Sequence, residues 1–195
     1  MRLFRDFNIA DWFSFYRILA IPLLMAFLLT GNRDLFTWFL LVSYSTDAID
    51  GFLARRLKLS SARGAQLDSL GDQLTLIAGL LGLWTFERIF ILENLVLIAI
   101  AFLPYILQMI IAFIKYGRAT AFHTYLAKTS AILQAVFILW TLFYGPVYWL
   151  FYTMIIVGIL ETVEEISLIF MYDEWVEDVK SIYSARKDER RKGNK

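Results

Sequence analysis

DAIDGFLARRLKLSSARGAQLDSLGD, residues Asp47 to Asp72, decides how this chain is read. It carries four aspartates, Asp47, Asp50, Asp68 and Asp72, and apolar runs reach both of its ends. Aspartates three or four residues apart stand one turn from each other on a helix face. Asp47 and Asp50 therefore share a face, and so do Asp68 and Asp72. The connection between the two pairs is short, so the helices are expected to be antiparallel neighbours that bring all four carboxylates to one depth. An ionised aspartate within a membrane helix costs about 2.5–3.5 kcal/mol, and four together repel one another. Two divalent cations would offset that charge. All-carboxylate ligation suits Mg²⁺, Mn²⁺ or Ca²⁺ and not zinc. Two such ions about 3.5–4 Å apart serve displacement at phosphorus.

The rest of the chain supports a membrane setting. Of 195 residues, 59% are hydrophobic and 17% aromatic, against about 45–50% apolar in soluble domains. The apolar residues fall in runs of about 20, the length that spans a bilayer. The expected fold is all-α, a polytopic integral membrane protein with six transmembrane helices. The spans lie at roughly 12–30, 35–54, 68–86, 90–114, 126–144 and 146–171. The first apolar stretch is too long for a signal peptide and reads as a retained helix. Residues 1–172 form the six-helix catalytic domain and 173–195 a charged cytoplasmic tail. Trp12, Trp38, Trp84, Trp140 and Trp149 suit interfacial belts. Gly79 and Gly82 suit close helix packing.

Charge sets the orientation. Sixteen of the 19 Lys and Arg fall before span one, between spans two and three, between four and five, or in the tail. Such a bias marks the cytoplasmic side, so both termini and the aspartates face the cytoplasm. The net charge of +1 gives no reason to expect a nucleic-acid partner, and the absence of cysteine excludes a disulfide framework, a thiolate metal site and a Cys nucleophile. The single histidine, His123, reads as an interfacial residue.

On the carboxylates alone, a proton- or cation-conducting path is the alternative. The neighbouring residues favour a phosphate-bearing ligand. Gly51 follows Asp50 and allows close backbone approach. Ala54 leaves space one turn on, Arg55 can pair with a phosphate, and Gly64 ends the loop ahead of span three.

The stretch reads Asp47-x-x-Asp50-Gly51-x-x-Ala54-Arg55, eight residues, then Gly64-x-x-x-Asp68-x-x-x-Asp72. It resembles the motif of the CDP-alcohol phosphotransferase (CDP-alcohol phosphatidyltransferase) family at all eight specified positions. The resemblance implies an enzyme of phospholipid synthesis. It would transfer a substituted phosphoryl group from a CDP-linked lipid, foremost CDP-diacylglycerol, to an alcohol, releasing CMP. It implies two Mg²⁺ or Mn²⁺ ions held by Asp47, Asp50 and Asp68, with Asp72 contacting the second ion and acting as general base. Asp47, Gly51, Ala54, Arg55, Gly64 and Asp68 would form the CDP site. A homodimer and a bacterial inner-membrane location are further expectations of the resemblance.

The acceptor is read from weaker signals. Asn8-Ile9-Ala10-Asp11, Ser14, Arg17 and Pro22 resemble the N-terminal pattern of the phosphatidylglycerophosphate synthases, with Ala10, Asp11 and Ser14 departing from it. Glycerol 3-phosphate is the first acceptor considered. Inositol phosphate, serine, or a CDP-choline or CDP-ethanolamine donor stay open. An anionic acceptor calls for cations, and Arg63, Lys115, Arg118 and Lys128 are the candidates. Arg17, inside span one, is either another such cation or a side chain that snorkels to the interface. Glu161, Glu164 and Glu165 form a second acidic cluster, able to accept hydrogen bonds from neighbouring helices, with no assigned role.

Overall fold

In the computed structural model the backbone is described for residues 9–57 and 62–186, and the side chains for 15–46, 49 and 70–186. The helices are α1 (Ile9–Leu29), α2 (Arg33–Leu57), α3 (Ala62–Phe86), α4 (Arg88–Glu93), α5 (Leu95–Tyr116), α6 (Tyr125–Tyr144) and α7 (Tyr148–Met171). Among the described residues, extended pairing is limited to an isolated bridge between Ala121 and Glu177. The all-α class is thus as expected. Two helices, α5 and α6, are long and apolar enough to cross a bilayer. Shorter apolar stretches run from Phe15 to Leu29 and from Leu70 to Phe86. The fourth apolar run is two helices, α4 and α5, broken at Asn94. Its side-chain amide donates to the Phe90 carbonyl at 2.9 Å, the local bonding by which asparagine competes with a continuing helix.

The chain divides into two compact units, 1–89 with 138–146 and 90–137 with 147–195. In the first unit α1, α2 and α3 all contact one another. The α1–α2 turn is written in three residues, Thr30-Gly31-Asn32. Gly31 takes φ +70°, a left-handed conformation that costs glycine little. The amide of Gly31 then donates to Leu28 O and that of Asn32 to Phe27 O, which closes the end of α1 in a Schellman motif. Asn32 next caps α2 by accepting from the Leu35 amide at 3.1 Å. Arg33, one residue on, ties three elements together. It donates to the Leu142 and Thr141 carbonyls near the end of α6, at 2.7 and 2.9 Å, and to Glu87 after α3, at 2.6 Å. A cation at a helix C-terminus also meets the negative end of the dipole.

The α2–α3 interface is set by two glycines, as the sequence suggests. A Cβ at Gly82 would stand 2.3 Å from Cε1 of Phe36, and one at Gly79 would stand 3.1 Å from both Tyr44 Oη and Ile138 Cγ2. Early α2 therefore meets late α3, and the helices are antiparallel. Phe36 is completely buried, so its ring has no room to swing aside. Alanine gains about 1 kcal/mol over glycine within a helix, whereas overpacking costs about 1–3 kcal/mol. At 2.3 Å from a fixed ring the second effect wins. Gly82→Ala is expected to lower the melting temperature clearly, and Gly79→Ala, which meets a methyl and a phenol tip, to lower it less. Thermal unfolding in detergent checks the ranking; equal shifts would contradict it.

In the second unit α5 packs on α7. Phe90, Phe137 and Phe151 form an aromatic cluster with centroids 5.0–6.0 Å apart, and Tyr148 adds an edge at 5.8 Å. Such offset and edge-on pairs add to simple burial. A second core gathers Ala112, Phe122, Leu168, Ile169, Val179 and Ala185. Its last two members belong to the charged stretch after α7, which runs back over the α5–α6 loop. The Asp178 amide donates to Ala121 O and the Tyr125 amide to Lys180 O. Trp175 Nε1 donates to Ala119 O at 2.9 Å. Val179 and Ala185, with Val176 and Ile182 packed beside them, anchor this segment to the core.

Candidate active site

The antiparallel order fixes where the two halves of the aspartate motif fall. Asp47 and Asp50 lie in the later part of α2, and Asp68 and Asp72 in the earlier part of α3. With Phe36 opposite Gly82 and Tyr44 opposite Gly79, both halves are at the same end of the helix pair. Gly51, Ala54 and Arg55 continue α2 beyond them; Arg63 and Gly64 open α3. Gly64 is thus within a helix, where the sequence placed it in a loop. The backbone of these positions is helical, while the side chains of Asp47, Asp50, Ala54, Arg55, Arg63 and Asp68 lie outside the described residues. Among the described residues no group of three His, Asp or Glu stands together.

Asp72 is the motif aspartate whose side chain is described. It is half exposed, and it accepts a short hydrogen bond from Nη1 of Arg17 on α1. Arg17 is wholly buried. This burial does not fit the sequence reading in which Arg17 snorkels to the interface. The reason is tertiary. α1 packs against both α2 and α3, so a side chain about two turns into α1 is enclosed on two sides. A buried guanidinium then requires an anion. Gly71 lies against the guanidinium. A Cβ there would lie 3.4 Å from Cζ and 3.5 Å from Nε of Arg17. The sequence signal for this was thin: one arginine in an apolar span, and one glycine ahead of an aspartate.

The residues of this end of the unit fit divalent ions. Their donor chemistry is hard oxygen from four carboxylates on two touching helices, which suits Mg²⁺ and Mn²⁺. One turn along each helix stand Ser43, before Asp47, and Thr75, after Asp72. Both are buried, and neither hydroxyl has a hydrogen-bond partner among the described residues.

The remaining sequence candidates belong to the second unit. Arg118 stacks on Trp175, its Cζ 3.6 Å from the ring centroid, a cation–π contact. Lys128 is exposed in the first turn of α6, which Thr124 caps by accepting from the Ala127 amide. Lys115 donates to the Ile169 carbonyl at 2.8 Å. The acidic cluster is largely spoken for. Glu165, buried on α7, accepts from Gln108 Nε2 and Thr120 Oγ1, each at 2.7 Å. Glu164 accepts from the Ile182 amide at 3.1 Å. These glutamates hold α5, the α5–α6 loop and the segment after α7 together, as buried polar groups do when each finds a partner.

No solved structure matches the chain at a significant level. The family model described as CDP-alcohol phosphatidyltransferase matches residues 7–163, which takes in the whole aspartate motif, Arg17, α1 to α6 and the first two thirds of α7. With the motif complete at one end of α2 and α3, the chain belongs to the CDP-alcohol phosphatidyltransferase family, whose members are membrane transferases of phospholipid synthesis that use a CDP-linked donor and an alcohol acceptor.

Proposed function

We propose that this enzyme transfers the phosphatidyl group of CDP-diacylglycerol to glycerol 3-phosphate, with CMP as the leaving product. The observation that carries the reading is the eight-residue motif, intact from Asp47 to Asp72, with its two halves at the same end of an antiparallel helix pair. The chain works as a six-span membrane protein with both termini and the motif on the cytoplasmic side, in keeping with the bias of its Lys and Arg. The family in general depends on divalent metals. Asp47, Asp50, Asp68 and Asp72 are the residues that would hold two Mg²⁺ or Mn²⁺ ions. Bound there, the ions supply charge neutralisation at the pyrophosphate and at departing CMP.

The chain's own residues do the rest. Gly51, Ala54 and Gly64 leave room for the CDP group beside Asp47 and Asp68, and Arg55 pairs with its phosphate. Asp72 takes the proton of the acceptor hydroxyl, which stays protonated at neutral pH without a base. The acceptor oxygen forms a new bond to the lipid phosphorus while the bond from that phosphorus to the CMP oxygen breaks. Arg63, in the same unit as the motif, is the cation proposed for the phosphate of the acceptor; Arg118 and Lys128 are the further candidates that the sequence offers. The stacking of Arg118 on Trp175 fixes that guanidinium without neutralising it. A homodimer is the assembly this reading carries over from the resemblance.

The test is CMP release from CDP-diacylglycerol by the purified enzyme, offered glycerol 3-phosphate, inositol phosphate, free inositol, glycerol and serine in turn. Release with glycerol 3-phosphate well above the others is expected. A preference for a neutral alcohol or for serine would overturn the acceptor assignment, and a preference for inositol phosphate would retain an anionic site while replacing the substrate.

A further inference from the structure

Asp72 is set against a fixed cation. Arg17 Nη1 donates to Asp72 Oδ1; the arginine side chain is 0% exposed and the aspartate side chain 50%. The carboxylate thus stands at the edge of the packed unit, and the guanidinium reaches it from inside. Gly71, the residue before Asp72, forms the seat. A Cβ there would touch Arg17 at Cζ, Nε and Cβ, between 3.4 and 3.7 Å. The arginine therefore lies along the backbone of α3 where that backbone turns toward Asp72. Any side chain at 71 longer than a methyl would occupy the same space.

Two physical consequences follow. A guanidinium is a planar fork of donors that remains charged in any protein setting, and one buried this deeply favours whichever aspartate rotamer keeps an oxygen on it. A half-exposed aspartate without such an anchor samples several rotamers. A base must stand within hydrogen-bond reach of the proton that it removes, and a misplacement of 1 Å can cost on the order of 10²-fold in rate. We infer that Arg17, seated over Gly71, is a positioning residue that holds the Asp72 carboxylate in the orientation required for transfer. The inference deepens the proposed function and rests on its assignment of Asp72 as the base.

The experiment compares Arg17→Met, Arg17→Lys, Gly71→Leu and Asp72→Asn in the full-length, detergent-solubilised enzyme, with kcat, the KM for CDP-diacylglycerol and the melting temperature measured on each folded sample. Arg17→Met is expected to lower kcat by about 10- to 100-fold with the donor KM little changed. Arg17→Lys, which keeps the charge and loses the fork, recovers part of that loss. Gly71→Leu keeps both charges and removes the seat, so it lowers kcat as Arg17→Met does. Independently of activity, the melting shift of the Arg17→Met/Asp72→Asn double variant is smaller than the sum of the single shifts, because contacting residues are not additive. A purely structural ion pair would lower the melting temperature and leave kcat per folded enzyme at the wild-type value. That result in Arg17→Met and Gly71→Leu, beside an inactive Asp72→Asn, overturns the positioning role alone. Additive melting shifts overturn it as well. Wild-type turnover in Asp72→Asn locates the failure in the assignment of the base, and the inference falls with it. Should Arg17→Met fail to fold, the kcat of Arg17→Lys and Gly71→Leu decides.

Discussion

Asp72→Asn is expected to reduce CMP release by about 10²–10⁴-fold, the usual contribution of a positioned general base. Asparagine nearly matches aspartate in shape and can still accept a hydrogen bond from Arg17 through its carbonyl oxygen. It has no capacity to take a proton from an alcohol near neutral pH. The half-exposed setting of Asp72 keeps the structural cost of the change modest, since water reaches part of the side chain. The protein should therefore be purified folded, bind CDP-diacylglycerol, and fail at transfer. Labelled CMP release at saturating acceptor, with donor binding measured separately, checks this. Undiminished turnover would remove Asp72 from the base role.

Chelation is expected to abolish activity, and added Mg²⁺ or Mn²⁺ to restore it. The argument is electrostatic. Four aspartates at one end of two touching helices repel one another, and a pyrophosphate donor adds further negative charge to the same place. In water two unit charges 4 Å apart interact by only about 1 kcal/mol, but by about 4 kcal/mol near a protein surface, so donor binding without compensation is strongly opposed. Arg17, on α1, offsets part of the charge on Asp72. Arg55 is the one cation within the run 47–55. Divalent ions would supply compensation that four carboxylates can hold directly, and hard oxygen donors select Mg²⁺ and Mn²⁺ over softer metals. Activity followed against free Mn²⁺ after exhaustive chelation gives the measurement. Full activity in the chelated enzyme would end the two-ion reading.

The part of the site legible in the sequence was the part written in spacing. Asp47-x-x-Asp50 and Asp68-x-x-x-Asp72 are helical spacings whatever surrounds them, and a short connection between two apolar runs leaves antiparallel packing as the natural arrangement. Gly79 and Gly82 were legible for a similar reason, because glycine has little other use deep in an apolar helix. Gly64 was misread as part of a loop: turn-forming composition in KLSSARG outweighed helical continuity, and α3 begins at Ala62. The stretch after α7 reads as polar tail, yet Val179 and Ala185 are buried. Its apolar residues are scattered among charged ones, and composition alone favours a solvated tail.

The sequence by itself determined the helical class, the apolar runs, the aspartate motif and the family, because each depends on residue type and on distance along the chain. Only the tertiary structure decided that Arg17 meets Asp72 across 55 residues, that it lies against Gly71, and that Glu165 is shared by Gln108 and Thr120. Those pairings depend on which helix faces touch, and close packing selects among faces that local spacing leaves equivalent.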